Sequence, residues 1–226
     1  LDPAVAFTAH VCDGDLLQRG QRFAEMAGPG RALLTGERTA LNFLQRMSGI
    51  ATATRRYVDA VRGTRAVILD TRKTVRGLRL LDKWAVRLGG GQNHRTGLYD
   101  MALIKDNHIA AVSELTDVGA LSEAVRRVRN LDTRGRPIEV EVTTLAQLEE
   151  ALALQPPVDR IMLDNMDLDT MTAAVRLAGG RVPLEASGGV NLDTVAAIAR
   201  TGVDYISVGA LTHSVVALDI SLEITD

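Results

Sequence analysis

Basic side chains recur just after short apolar runs in this chain, and acidic ones follow further on. Arg72 and Lys73 stand in Asp70-Thr71-Arg72-Lys73-Thr74, directly after Ala66–Leu69. His94 and Arg95 close the glycine-rich run Gly89-Gly90-Gly91-Gln92-Asn93-His94-Arg95. Lys105 and His108 frame Lys105-Asp106-Asn107-His108, after Ala102–Ile104. Glu139 and Glu141 lie within Ile138–Val142, and Asp164-Asn165 follows the run Arg160–Leu163. Ser187-Gly188-Gly189 follows Val182–Ala186, and Gly209 follows Tyr205–Val208. Arginine grips a carboxylate with two parallel hydrogen bonds, whereas lysine acts as a point charge on phosphate. A carboxylate pair such as Glu141 and Asp164 suits Mg²⁺ held partly through water and shared with a diphosphate. Small residues at a strand end expose backbone amides that can cradle a phosphate. These residue types together suit a substrate carrying several anionic groups.

Plainer readings stand beside these. Glu139 and Glu141 are two apart and share one strand face, so either could form a structural ion pair with Lys105. Arg79 and Arg87 read as solvated surface. Gly89-Gly90-Gly91 is either a flexible loop or a backbone that passes close to a ligand. His213 either caps the phosphate site or lies on the surface, and His10 carries no signal. Cys12, the single cysteine, reads as a small buried hydrophobe. It allows no internal disulfide and no multi-cysteine metal site, and it fits a reducing cytoplasm.

The elements that position these groups follow from the pattern. Six short runs rich in Val, Ile and Leu alternate with segments of helical spacing: Leu115–Val128, Leu145–Leu154, Leu168–Leu177 and Leu192–Ala199. Such alternation gives a parallel sheet with helices outside, and a parallel barrel places its site at the carboxyl ends of its strands. Six strands rather than eight predict an open or incomplete parallel α/β barrel. A doubly wound open sheet is the alternative, although no GxGxxG follows the first strand. Ahead of the barrel, Ala4–Ala9 alternates weakly, and a long helix is expected over roughly Gly36–Val61. Its residues Leu41, Leu44, Met47 and Ile50 recur every third position. Ile220–Ile224 reads as a closing strand. Residues 1–40 with 212–226 are therefore read as a smaller α/β domain formed by both chain ends, beside a barrel over 41–211. The chain starts at Leu1 rather than Met, so this domain is expected to be incomplete at its N-terminus.

The bulk composition bounds the function. Hydrophobic residues are 46% and charged residues 24% of 226, with a net charge of −2. This is a folded chain, not a globally basic nucleic-acid binder. No apolar run reaches membrane-spanning length.

At this point the residues resemble a known family. Glu37-Arg38-Thr39-Ala40-Leu41-Asn42-Phe43-Leu44-Gln45, Ser48-Gly49-Ile50-Ala51-Thr52, Asp70–Thr74, Gly89–Gly91 with His94-Arg95, Lys105–His108, Met162-Leu163-Asp164-Asn165 and Glu185–Gly189 are similar, in order, to the signatures of quinolinate phosphoribosyltransferases. The resemblance implies a decarboxylating pentosyltransferase of NAD biosynthesis. It would join quinolinate to the ribose of phosphoribosyl pyrophosphate, with Mg²⁺, in a cytoplasmic homodimer with shared sites. Arg38 would be lent by the neighbouring subunit. Arg72, Arg95 and Lys105, with His94, would hold the quinolinate carboxylates. Lys73, Lys105 and His108 would face the pyrophosphate. Glu141 and Asp164 would bind the metal and ribose region, and Ser187, Gly188, Gly189 and Gly209 the 5-phosphate. The catalytic set would be Lys73, Lys105, Glu141 and Asp164. The family's proline near position 76 is absent, since Val75-Arg76 stands there. A homologue acting on another base, or a non-catalytic binder of phosphorylated sugars, are the competing readings.

Overall fold

The computed structural model describes residues 2–114 and 119–225. An antiparallel pair, β1 (Ala6–Ala9) and β2 (Ala24–Ala27), precedes a helix of 31 residues, α1 (Gly30–Ala60). Then strand and helix alternate: β3 (Val67–Leu69), α2 (Arg79–Leu88), β4 (Ala102–Ile104), α3 (Asp106–Ser113), α4 (Ala120–Leu131), β5 (Ile138–Val142), α5 (Leu145–Ala153), β6 (Arg160–Asp164), α6 (Leu168–Ala178), β7 (Leu184–Ser187), α7 (Val195–Arg200), β8 (Tyr205–Ser207) and α8 (Ala210–His213).

The six later strands form one parallel sheet in the order β3-β8-β7-β6-β5-β4. The first strand pairs with the last, and β4 does not pair with β3. This is a barrel left open at one seam, where a single bridge joins Leu69 to Gln92. The expected open parallel barrel is the architecture found.

Strand alternation with this register puts Leu103, Glu139, Glu141, Arg160, Met162, Asp164, Glu185, Ser187, Tyr205 and Ser207 on the inner face. The outer face carries Ile104, Ile138, Val140, Val142, Ile161, Leu163, Leu184, Ala186 and Ile206, nearly all fully buried under the helices. The barrel is thus apolar outside its wall and charged within it. The middle strands β5, β6 and β7 are amphipathic, whereas β3 and β4 are continuously apolar.

Helix ends follow ordinary capping chemistry. Thr144 Oγ1 accepts the Gln147 N–H at 3.2 Å to start α5, and Asp167 Oδ1 accepts the Thr170 N–H at 2.7 Å to start α6. α6 stops at Gly179, whose φ of 56° suits a residue without a Cβ.

Several expectations are corrected. α1 begins at Gly30 behind Pro29, six residues before the expected start. Its buried stripe runs through Leu41, Ile50, Thr54 and Tyr57, and Leu44 lies exposed because an every-third spacing drifts off a 3.6-residue face. Residue 40, the expected domain boundary, falls inside this unbroken helix. Ile220–Ile224 forms no strand. The closing segment instead runs along α1, where Leu218 N donates to Gln45 O at 3.0 Å and Gln45 Nε2 donates to Ile220 O at 2.8 Å. Gly49 permits this approach, since a Cβ there would collide with Val216 O. Cys12 is exposed, not buried. Part of the expected helix Leu115–Val128, residues 115–118, lies outside the described residues.

Candidate active site

The carboxyl ends of β3 and β4 deliver cations to one place. A cavity of about 560 Å³ is lined by Arg72, Arg95, Lys105 and His108, with Leu98, Met101, Leu103 and Val112 among its apolar walls. Arg72 follows β3, Arg95 lies in the loop after α2, and Lys105 and His108 begin α3. Their convergence shows the sheet curling until its two edges face one another. Arg95 Nη1 donates to Met101 O at 3.2 Å. Burial and the neighbouring Arg72 both lower the Arg95 pKa. Guanidinium keeps its proton in proteins, so Arg95 remains a cation at the cavity.

Lys105 Nζ lies 2.6 Å from Glu141 Oε2, and its side chain stays 43% exposed at the cavity while Glu141 is nearly buried. The ion pair and the candidate site therefore coincide. His108 Nδ1 accepts the Lys105 N–H at 2.9 Å, which fixes the ring at the start of α3.

Asp164 ends β6 and Ser187 ends β7, and the two are register partners. Asn165 Nδ2 donates to Asp164 Oδ2 at 2.7 Å, while Asn165 N donates to Ser187 O at 2.9 Å. Asn165 has a φ of 52°, a conformation that side chains rarely adopt. Gly188, with φ 95°, packs so closely that a Cβ would collide with Asn165 Oδ1. The acid and the expected phosphate cradle are thus built as one unit. Gly209 follows the next strand, β8, at the N-cap of α8. A Cβ on Gly209 would lie 3.0 Å from His213 Nε2 and 3.6 Å from Lys73 Cδ, so Lys73, Gly209 and His213 share one corner. Thr212 Oγ1 anchors that corner by donating to Lys73 O at 2.9 Å.

Below the mouth lies a charged cluster that sequence reasoning did not assemble. His94 Nε2 sits 2.9 Å from Glu139 Oε2 and 3.5 Å from Glu185 Oε2. Arg160 Nη1 donates to Glu185 Oε2 at 2.8 Å, and the Arg160 guanidinium stacks 4.0 Å from the Tyr205 ring centroid. Ser207 Oγ donates to Glu185 Oε1. Despite the short approach, neither Glu139 oxygen nor His94 Nε2 has an aligned hydrogen-bond partner among the described residues. Burial, with Glu139 next, pushes Glu185 up to about 7. Burial raises Glu139 as well and lowers His94, which favours the neutral ring. His94 Nδ1 accepts the Arg95 N–H at 2.7 Å. His94, expected to help hold a substrate carboxylate, is buried beneath Arg95 with its ring toward the acids.

Asp70 and Lys83 form a second buried pair that the sequence left unmarked. The Asp70 carboxylate also accepts the His94 N–H at 2.8 Å and Asn93 Nδ2 at 2.7 Å, and Lys83 Nζ donates to His94 O at 3.0 Å. Burial pushes the Asp70 carboxyl up, against these donors. The network pins the His94-Arg95 loop to the end of β3. The turn after Lys73 closes without proline: Leu78 N donates to Val75 O at 3.2 Å, and Gly77 takes a φ of 77°. Arg38 lies exposed on α1 and is not part of the cavity lining.

Glu141 and Asp164 offer hard oxygen donors at the mouth, each with an oxygen that accepts from no donor among the described residues. Such a set fits Mg²⁺, which takes one or two carboxylates and shares substrate phosphates. The three-donor group His94, Glu139 and Glu185 is a poorer cation site, since Arg160 already neutralises Glu185.

A parallel open barrel with a cationic mouth, an acid pair and a glycine cradle on its late strands defines an α/β-barrel enzyme for polyanionic, phosphorylated substrates. Comparison with known proteins names the family. Residues 50–223 match the model of the quinolinate phosphoribosyl transferase C-terminal domain, and residues 1–48 match that of the N-terminal domain. The chain belongs to the quinolinate phosphoribosyltransferase family. It is 48% identical over 225 residues to the probable nicotinate-nucleotide pyrophosphorylase [carboxylating] of Bacillus subtilis, covering 100% of this chain and 75% of that protein. It is 52% identical over 217 residues to the nicotinate-nucleotide pyrophosphorylase [carboxylating] of Mycobacterium leprae, covering 95% and 73%. Against quinolinate phosphoribosyltransferase [decarboxylating] 2a of Nicotiana tabacum it is 46% identical, covering 99% of this chain and 66% of that one. The solved structure of NadC from Streptococcus pyogenes superposes with a TM-score of 0.91 at 45% identity, over 98% of this chain and 76% of that chain.

Proposed function

We propose that this protein transfers the phosphoribosyl group of phosphoribosyl pyrophosphate to quinolinate and releases carbon dioxide, forming nicotinate mononucleotide. One observation carries the reading: Arg72, Arg95 and Lys105 converge on one cavity from three separate segments, with cationic charge suited to a planar dicarboxylate. The arginines take the carboxylates by paired hydrogen bonds, each charge-assisted bond contributing about 1.5–3 kcal/mol. The apolar walls Leu98, Leu103 and Met101 accept the ring.

The pyridine nitrogen forms a bond to the anomeric carbon as the carbon–oxygen bond to pyrophosphate breaks. Positive charge develops on the ribosyl group, and Glu141 and Asp164 stabilise it from the mouth. Lys73 and Lys105 meet the leaving pyrophosphate. Bound Mg²⁺ would be held by Glu141 and Asp164 and would supply charge neutralisation for the diphosphate. The Ser187-Gly188-Gly189 turn and Gly209 take the 5-phosphate through backbone amides. In the ribosylated ring the nitrogen is cationic. The bond to the adjacent carboxylate then breaks, its electron pair stays on the ring carbon, and a proton is taken up there. Positioning and charge suffice for these steps, without a strong general base.

The homodimer belongs to the same proposal. Phe43 and Leu44 on α1, and Leu80 and Trp84 on α2, are exposed apolar side chains suited to a partner surface, and Arg38 is free to reach a neighbouring cavity. The cytoplasmic setting rests on the single cysteine. No helix among the described residues is long and apolar enough to cross a membrane. The smaller unit of 1–40 with 212–226 beside 41–211 belongs to the same proposal; the closing segment bonds to Gln45, on the barrel side of that boundary.

The test is release of labelled carbon dioxide from carboxyl-labelled quinolinate. Release should require both phosphoribosyl pyrophosphate and magnesium. Release without phosphoribosyl pyrophosphate, or none from folded protein with all components, would refute the reading. Turnover with another pyridine base and none with quinolinate would favour a homologue of different specificity.

A further inference from the structure

Arg79 reads as surface in the sequence, yet it is half-buried and each of its three guanidinium nitrogens donates to a neutral acceptor. Nε donates to Thr74 Oγ1 at 3.1 Å, Nη2 to Arg72 O at 3.3 Å and Nη1 to Thr96 O at 3.1 Å. A solvated arginine has no reason to hold such a set. The acceptors belong to two different loops. Arg72 and Thr74 lie in the loop after β3, which carries the Arg72 and Lys73 side chains. Thr96 follows directly on His94-Arg95, in the loop after α2. Asp100 closes the turn that Thr96 begins, its carboxylate accepting Thr96 N at 2.6 Å and Gly97 N at 3.1 Å. Arg79 therefore grips a formed turn, not a loose strand of chain.

The location explains why a clamp is needed. These loops flank the open seam of the barrel, where β3 and β4 do not pair and one bridge, Leu69 to Gln92, stands in for a ladder. Elsewhere around the barrel the inter-strand hydrogen bonds fix the spacing of neighbouring strand ends. At the seam only two backbone bonds do so, Gln92 N to Ile68 O at 2.8 Å and Asp70 N to Gln92 O at 3.2 Å, and side chains add to them. Asp70 does this at the base, through His94 N and Asn93. Arg79 does this higher up, beside the two arginines of the mouth.

We propose that Arg79 is a positioning residue that sets the distance between Arg72 and Arg95, and hence the grip on a dicarboxylate across the open seam. This rests on the quinolinate reading above. A planar guanidinium reaches three acceptors in fixed directions, and an ammonium cannot reproduce that fork. Lysine at this position is accordingly a poor substitute even though it keeps the charge.

The experiment measures KM for each substrate, kcat, and quinolinate affinity by calorimetry in wild type, Arg79→Lys, Arg79→Ala and Thr74→Val. Wild-type turnover first establishes that quinolinate is the substrate; its failure would count against the functional reading and not against the clamp. With that in hand, both Arg79 variants should raise the quinolinate KM and Kd at least about tenfold, while the phosphoribosyl pyrophosphate KM changes less than about threefold. Thr74→Val should show the same split on a smaller scale. Guanidinium ion below denaturing concentration should restore part of the affinity in Arg79→Ala, and ammonium should not. Unchanged quinolinate binding, an equal rise in both KM values, or no discrimination between guanidinium and ammonium would overturn the proposal. Should Arg79→Ala fail to fold, the split in Arg79→Lys and Thr74→Val decides the matter alone.

Discussion

Lys105 is the residue on which the two halves of the site meet. It lines the cavity with Arg72 and Arg95, and it pairs with Glu141 at 2.6 Å. Lys105→Ala removes a cation from the substrate and leaves the nearly buried Glu141 unpaired. We expect kcat to fall about 10²–10³-fold, with the circular dichroism spectrum unchanged; turnover near the wild-type rate would remove Lys105 from the site. Gly188→Ala probes the other half. Its φ of 95° and the collision of a Cβ with Asn165 Oδ1 leave no room for alanine. Stability should drop by about 1–3 kcal/mol in urea unfolding, and the phosphoribosyl pyrophosphate KM should rise more than the quinolinate KM. Equal KM values in variant and wild type would sever Gly188 from the phosphate cradle. At this scale the sequence was informative, because each of these residues stands where an apolar run ends. The surroundings of His94 were not legible in the sequence, for a physical reason. A histidine beside an arginine reads as part of its grip, but the partners of its ring, Glu139 and Glu185, come from strands far along the chain.

Elements were legible where burial is apolar and obscure where it is charged. α5 and α6 carried an apolar stripe and side-chain caps, and both lie within a residue of their expected bounds. α2 gave no such signal, because its buried face includes Asp82 and Lys83 beside Ala85 and Val86. Asp82 takes Arg46 in a bidentate pair at 2.9 and 2.8 Å, tying α2 to α1, and Lys83 takes Asp70. Gly89 ends α2 against α1. A Cβ there would stand 2.5 Å from Ala51 O and 2.6 Å from Thr54 Cβ, so Gly89→Ala should cost about 1–3 kcal/mol through overpacking. A thermal midpoint equal to wild type would show that the two helices can part without penalty. The strands give a pH signature. Burial pushes the Glu185 carboxyl up to about 7 from an ordinary 4.5, so the folded state holds a proton that the unfolded chain releases. Its contribution is complete below the unfolded value and is lost as pH rises through the folded one. Stability should therefore decline over about pH 4.5–7 on its account. His94, held neutral by burial, works in the opposite direction below the ordinary histidine value of 6.5. The difference between proteins isolates the acid: Glu185→Gln should lose part of the decline seen in wild type, and Glu139 should sustain the remainder. Parallel stability curves for variant and wild type across that window would show that Glu185 does not hold the proton.

At the scale of the molecule, counting strands was enough to read an open barrel, and the order β3-β8-β7-β6-β5-β4 shows where it opens. The consequence lay beyond sequence. The seam falls beside Arg72 and Arg95, where one bridge stands in place of a ladder and the Asp70, Lys83 and Arg79 contacts add to it. The smaller unit was only partly legible. β1 pairs with β2, whose run Ala24-Glu25-Met26-Ala27 is too short and too mixed to stand out, and the closing segment hydrogen-bonds to α1 instead of forming a strand. The central claim is that one cavity at the seam grips both carboxylates of a planar ring. A crystal structure with quinolinate bound tests it most directly. The account predicts the two carboxylates between Arg72, Arg95 and Lys105, with the ring against Leu103 and Met101. Quinolinate bound on another surface, with these three side chains left to solvent, would contradict it.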